Sequence, residues 1–83
     1  MTFEEIYVGQ RVKVNYAKEG SQSYRQPPIN GRVVKKYPHS HNIDIAIDAT
    51  NHWWHGNIRR YYCWRLDNND PPLVRLARAL DAD

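Results

Sequence analysis

Between His52 and Arg65 the chain reads His-Trp-Trp-His-Gly-Asn-Ile-Arg-Arg-Tyr-Tyr-Cys-Trp-Arg, and these fourteen positions hold five of the ten aromatic residues and three arginines without a carboxylate among them. Two kinds of contact chemistry follow. An indole or phenol face stacks on a nucleobase or cradles a cationic or proline-rich ligand, while guanidinium groups without an acidic neighbour seek phosphate or carboxylate. Trp53 and Tyr61 are the candidate stacking residues. Arg11, Lys13, Arg59 and Arg60 have no evident local acid and are the candidate phosphate contacts.

Other reactive side chains yield less. The histidines at 39, 41, 52 and 55 flank the run Ile43 to Asp48 in two pairs, and a strand of that length holds the pairs ~17 Å apart, so the four cannot converge on one metal ion. His52 and His55 alone make half a site. Cys63 has no base or oxyanion donor at a recognisable spacing and reads as a buried structural thiol. Neither a Gly-rich phosphate loop, a Ser/His/Asp signature nor paired carboxylates occur, so the expectation is a binding protein, not an enzyme, with no metal and no cofactor.

The elements that must position these residues follow from periodicity. Thr2-Phe3-Glu4-Glu5 matches a capping box and predicts one helical turn carrying Phe3 and Ile6 before Gly9. Arg11 to Tyr16 alternates with a period of two, burying Val12 and Val14 and presenting Arg11 and Lys13. Ala17 to Asn30, rich in Ser, Gln, Gly and Pro, reads as a long surface loop. Gly31 to Tyr37 and Ile43 to Asp48 form a hairpin around Pro38 to Asn42. Setting Tyr37 opposite Ile43 places Val33 opposite Ile47, Arg32 opposite Asp48 and Lys36 opposite Asp44, so two unlike-charge pairs arise together. Lys35 then lands on the apolar face and must snorkel or sit beside a bulge. Ile58 to Leu66 is one bent strand or two short ones, with Trp54, Tyr62 and Trp64 expected to fill a core short of aliphatic residues. Asp70-Pro71 opens a C-terminal helix over about 71 to 81, in which Leu73, Leu76, Ala77 and Leu80 recur at helical spacing to cover the open end of the fold or dock on a partner. Arg75 and Arg78 are expected to be solvated on its polar side.

Eighty-three residues make one domain, 1–83, near the lower limit for a core without staples. The single cysteine fits a reducing compartment such as the cytoplasm; Met1 to Glu5 is acidic and lacks an apolar run, and no stretch approaches the ~20 apolar residues a membrane span requires, so a soluble protein is expected. A net charge of +3 permits an anionic partner without requiring one.

Ile6-Tyr7-Val8-Gly9-Gln10-Arg11-Val12-Lys13-Val14, Gly31-Arg32-Val33-Val34 and Ile43-Asp44-Ile45-Ala46-Ile47-Asp48 together resemble the SH3-like small barrels, in particular Tudor-like and KOW-like domains, over roughly residues 6 to 66. The resemblance implies a mainly β barrel of about five curved antiparallel strands, with loops at one end forming a nucleic-acid or peptide surface. A Tudor-like cage would draw on Tyr16, Tyr37, Trp53 and Tyr61. The type II dihydrofolate reductases share the scaffold but carry a Val-Gln-Ile-Tyr stretch where this chain has Ile43-Asp44-Ile45-Ala46, so that activity is not implied. The expected function is a small nucleic-acid-binding module of low sequence specificity that favours single strands, RNA or DNA. The alternative is a protein-interaction or inhibitory module using the same aromatic surface or the C-terminal helix.

Overall fold

The computed structural model describes residues 1–16 and 27–81. Alternation in the sequence becomes alternation in space. Five antiparallel strands form one sheet: β1 (Arg11–Val14), β2 (Ile29–Tyr37), β3 (Asn42–Ile47), β4 (Ile58–Tyr62) and β5 (Leu66–Asn68), in the spatial order β4-β3-β2-β1-β5. A 3-10 turn over Cys63–Arg65 separates β4 from β5. Three residues thus link the two outermost strands, which forces the sheet to curl, yet no ladder joins β4 to β5 and the sheet is open. The β2 strand begins at Ile29, inside the stretch read as loop, whose residues 17–26 lie outside the described residues.

One face of the sheet carries the core. Val12, Val14, Val33, Ile43, Ile45, Ile47 and Leu66 are almost fully buried, joined by Ile29 and by Ile6 from the N-terminal turn. That turn closes with Glu5 N–H donating to the Thr2 carbonyl (3.2 Å), and the Thr2 hydroxyl donates to the Glu5 carboxylate (3.0 Å). Gly9 follows with φ +93°, a left-handed conformation that glycine adopts without strain, and its N–H donates to the Val33 carbonyl (2.8 Å). Each buried aliphatic side chain contributes about 1.5–3 kcal/mol, so this set supplies most of the driving force.

The expected hairpin register is wrong. Gly31 faces Ile47, Arg32 faces Ala46 and Val33 faces Ile45; a bulge between Val33 and Lys35 then shifts the pairing, so that Lys35 faces Asp44 and Tyr37 faces Asn42. Two physical causes are visible. Ile45 packs its Cγ2 methyl into the space a side chain at Gly31 would fill, which fixes these strands two residues away from the charge-matched alignment. The bulge turns Val34 and Lys35 outward in succession, removing the lysine from the apolar face. Neither the Arg32–Asp48 nor the Lys36–Asp44 pair forms. Lys36 instead reaches over the Phe3 ring (4.1 Å) and donates to the Ile6 carbonyl (2.5 Å).

Of the three aromatic residues expected in the core, Trp54 packs against it half-buried, and the other two do not. Tyr62 and Trp64 lie outside, stacked on each other at 6.3 Å and 10°, because the 3-10 turn interrupts the alternation between β4 and Leu66. Cys63 is buried and unpaired.

Helix α1 (Pro72–Asp81) begins where the sequence placed it but buries none of its residues. It is held to the segments before β1 and after β5 by two arginines: Arg75 Nε donates to the Asp70 carbonyl (3.0 Å), and the Arg78 guanidinium lies 3.2 Å from the Tyr7 ring centre. Arg75 and Arg78 are therefore not free surface groups, and Leu73, Leu76 and Leu80 face solvent instead of covering the core. Asp70 is buried, its carboxylate accepting from the Arg11 N–H (2.9 Å) and the Tyr7 hydroxyl. Burial, followed by the bond to Asp70, pushes the Tyr7 phenol pKa upward.

Candidate functional site

The segment linking β3 to β4 is a run of three turns. His52 N–H donates to the Ala49 carbonyl (2.7 Å), His55 N–H to His52 (2.9 Å) and Asn57 N–H to Trp54 (2.9 Å), and Gly56 takes φ +84° to return the chain to β4. The His52 Nδ1 accepts the Trp54 N–H (3.0 Å), locking the imidazole against the backbone. Adjacent tryptophans on this tight path divide their roles. Trp54 is half-buried against the core, and the Arg59 guanidinium caps its ring at 3.8 Å. Trp53 is 80% exposed, held at its root by the His52 ring (6.0 Å, 16°) and by Trp54 (5.0 Å, 46°).

Trp53 and His52 form one wall of a cleft of about 660 Å³ whose other wall is Pro27 and Pro28, at the entry to β2. Asn30, Asp48, Thr50 and Asn51 supply its polar lining, and none of its described lining residues is a lysine or arginine. An apolar rim of indole and pyrrolidine rings with amide, hydroxyl and carboxylate groups inside suits a flat, hydrogen-bonding group better than a phosphate.

Cations lie beside the cleft, on the outer face of the sheet. Lys13 is paired with Asn30, a cleft residue, and has Asp67 as its β5 neighbour. One row further along, Arg11 is paired with Arg32, and Arg32 with Ala46. Two residues along a strand span about 6.6 Å, so the Arg11–Arg32 row lies within a few ångströms of the row that meets the cleft.

The six residues singled out from the sequence are thus only partly brought together. Trp53 stands at the cleft, and Lys13 and Arg11 lie on the adjoining face. Arg59 is engaged on Trp54. Arg60, on the outer face of β4, is not without an acid: its Nε donates to Asp44 Oδ1 (2.9 Å) and its Nη2 to the Tyr37 hydroxyl (2.9 Å), which itself donates to Asp44 Oδ2 (2.7 Å). The Arg60 bond, assisted by Tyr37, holds the Asp44 carboxyl below the usual carboxylate range despite the opposing effect of burial. Tyr61 is 8% exposed, its hydroxyl 2.6 Å from that of Tyr16 with the rings edge to face, so it offers no stacking surface and the expected Trp53–Tyr61 platform does not exist. Burial and the Tyr61 bond push the Tyr16 phenol pKa upward. A cage of Tyr16, Tyr37, Trp53 and Tyr61 is likewise not assembled: Tyr16 and Tyr61 pair inside while Tyr37 serves Asp44 and Arg60.

Sequence reasoning missed Trp54 as the anchor, Pro27-Pro28 and Asp48 as cleft walls, and Arg32, which was assigned to an ion pair. Only the hairpin register could have revealed Arg32. Among the described residues no three metal-ligating side chains converge, and none of the helices is long and apolar enough to cross a membrane. Compared with family models, curated proteins and solved structures, the chain matches none.

Proposed function

We propose that this protein is a small module that binds single-stranded nucleic acid on an SH3-like scaffold, acting by binding and not by catalysis. The observation that carries the reading is the exposed Trp53 at a cleft lined by hydrogen-bonding groups, with no lysine or arginine among its described lining residues and with Lys13 and the Arg11–Arg32 row on the adjoining sheet face. A base enters the cleft and stacks on Trp53, and Asp48, Asn30, Thr50 and Asn51 meet its edge, where a carboxylate accepts from an exocyclic amine. Phosphates stay outside, on the cations of the sheet face. Stacking tolerates every base, so sequence preference is weak. The strand order, the long β1–β2 connection and the 3-10 turn before β5 support the scaffold assignment. The buried, unpaired Cys63 suits a reducing compartment such as the cytoplasm.

Titration of the protein with a short oligonucleotide at two salt concentrations tests this. Binding should weaken on going from 50 to 200 mM salt, by about tenfold or more if two or three phosphates are neutralised. An affinity indifferent to salt contradicts the reading. One observation favours a second reading: Asp48 beside Trp53 also fits the cationic side chain of a peptide ligand. A peptide partner would be lost on Asp48→Asn but unaffected by Arg32→Gln, whereas the oligonucleotide should respond to both.

A further inference from the structure

Arg11 and Arg32 are direct cross-strand partners on the exposed face of β1 and β2. Like charges placed directly opposite each other destabilise a sheet, and natural sheets normally place an acid there. None is present in this row: beyond Arg32 lies Ala46, and beyond Arg11 runs Asn69, whose N–H donates to the Arg11 carbonyl (2.8 Å). Of the two carboxylates diagonal to Arg32, Asp44 is already engaged by Arg60 and Tyr37, and Asp48, on the other diagonal, lines the Trp53 cleft and forms no ion pair with Arg32. A third guanidinium arrives from α1. The Arg78 guanidinium carbon lies 3.2 Å from the Tyr7 ring centre, and Arg78 lines with Arg11, Arg32, Tyr7, Pro71 and Val74 a pocket of about 290 Å³ between the sheet and the helix.

The counter-charge in this pocket is small. Asp70 also lines it, but its two oxygens are taken by the Arg11 N–H and the Tyr7 hydroxyl. Three arginines against one carboxylate leave a net charge of +2, which matches a phosphate dianion.

We infer that this pocket binds a phosphate group, seated between Arg11 and Arg32 and covered by Arg78. The inference draws on the nucleic-acid reading in sharing the Arg11–Arg32 row, but it does not involve the Trp53 cleft. The unmatched arginine pair then has a function: repulsion in the free protein is relieved when the anion arrives. The pocket also explains why α1 is fastened by arginines instead of leucines, since that arrangement brings Arg78 over the sheet.

Thermal unfolding at constant ionic strength, with and without 10 mM inorganic phosphate, tests the inference. At that concentration the general exclusion effect of phosphate is slight, and Arg32→Gln controls for it. The wild-type protein should gain several degrees in Tm with phosphate. Arg32→Gln should melt at or above the wild-type temperature in chloride, because the repulsion is gone, and should lose the phosphate response. Arg78→Gln should weaken phosphate affinity about tenfold. A wild-type Tm indifferent to phosphate, or an Arg32→Gln variant that responds as the wild type does, overturns the proposal. Oligonucleotides of one length with and without a 5′-phosphate identify the source. Tenfold tighter binding of the phosphorylated form through Arg32 assigns a terminal monoester; equal binding that still falls on Arg32→Gln assigns backbone phosphate. If phosphate binds and no oligonucleotide does, the nucleic-acid reading falls and the pocket stands; the converse removes the pocket alone.

Discussion

The β2–β3 and β3–β4 hairpins share a strand yet are built on opposite principles. In the first, Gly31 and Val33 meet Ile47 and Ile45, the residues are small and branched, and the contact is buried to the limit. In the second, Ile43 and Ile45 face a strand whose residues are mostly exposed, with Tyr61 alone turned fully inward, and the connecting loop sends an indole into solvent. Aliphatic residues close the core almost unaided. Of the aromatic residues in the β3–β4 region, Tyr61 and Trp54 pack in or against the core while Trp53 and Tyr62 stand outside it, and Trp53 is the better candidate for contact with a ligand. A solvent-exposed tryptophan fixed by two neighbouring rings is ordered before any ligand arrives, so little entropy remains to be lost on binding.

Substitutions that strike the two hairpins unequally sharpen this contrast. The largest effect is expected at Ile45→Ala, which should remove about 2–5 kcal/mol of stability in denaturant unfolding by leaving a cavity where β2 and β3 meet. Gly31→Ala comes next: its new methyl overlaps the Ile45 side chain, and a loss of about 1–3 kcal/mol is expected by the same assay. The β3–β4 pairing should reveal itself through acid. Because the Asp44 pKa is depressed in the folded state, chiefly by Arg60, its stabilising contribution is present above the ordinary carboxylate pKa and is lost as pH falls through the lowered value. Arg60→Gln should therefore lower stability at neutral pH, with the difference from the wild type shrinking as pH falls through the depressed value; no difference at neutral pH would mean that the ion pair does not hold the hairpin. The smallest stability effect, within about 0.5 kcal/mol, is expected for Trp53→Ala, because that side chain is out in solvent.

How much could be read in advance depended on the range of the interaction. The N-terminal turn, the alternation of β1, the inward face of β3 and the start of α1 were legible because each is decided by residues within a few positions of one another. The β2–β3 register was not: charge matching of Arg32 with Asp48 and of Lys36 with Asp44 was outweighed by Ile45 packing over Gly31 and by a bulge that releases Lys35, although the awkward position of that lysine already pointed to the place. Exposed ion pairs contribute ~0 to 1 kcal/mol each, less than one buried isoleucine, so the aliphatic alignment prevails. A loop position beside two histidines does not decide whether Trp53 points inward or outward, and the burial of Tyr61 and the exposure of Tyr62 and Trp64 depend on the 3-10 turn at Cys63–Arg65, which alternation alone does not reveal. For α1 the periodicity was read correctly and its orientation was not, since nothing local to the helix tells that Arg78 will choose Tyr7.

Acrylamide quenching of tryptophan fluorescence, measured in the free protein, after addition of a short single-stranded oligonucleotide, and in a Trp53→Phe variant, addresses the central claim most directly. The account predicts a readily quenched population that disappears in Trp53→Phe and is shielded when the oligonucleotide binds the wild-type protein. Quenching that is the same with and without bound oligonucleotide would show that the exposed indole is not where the ligand sits.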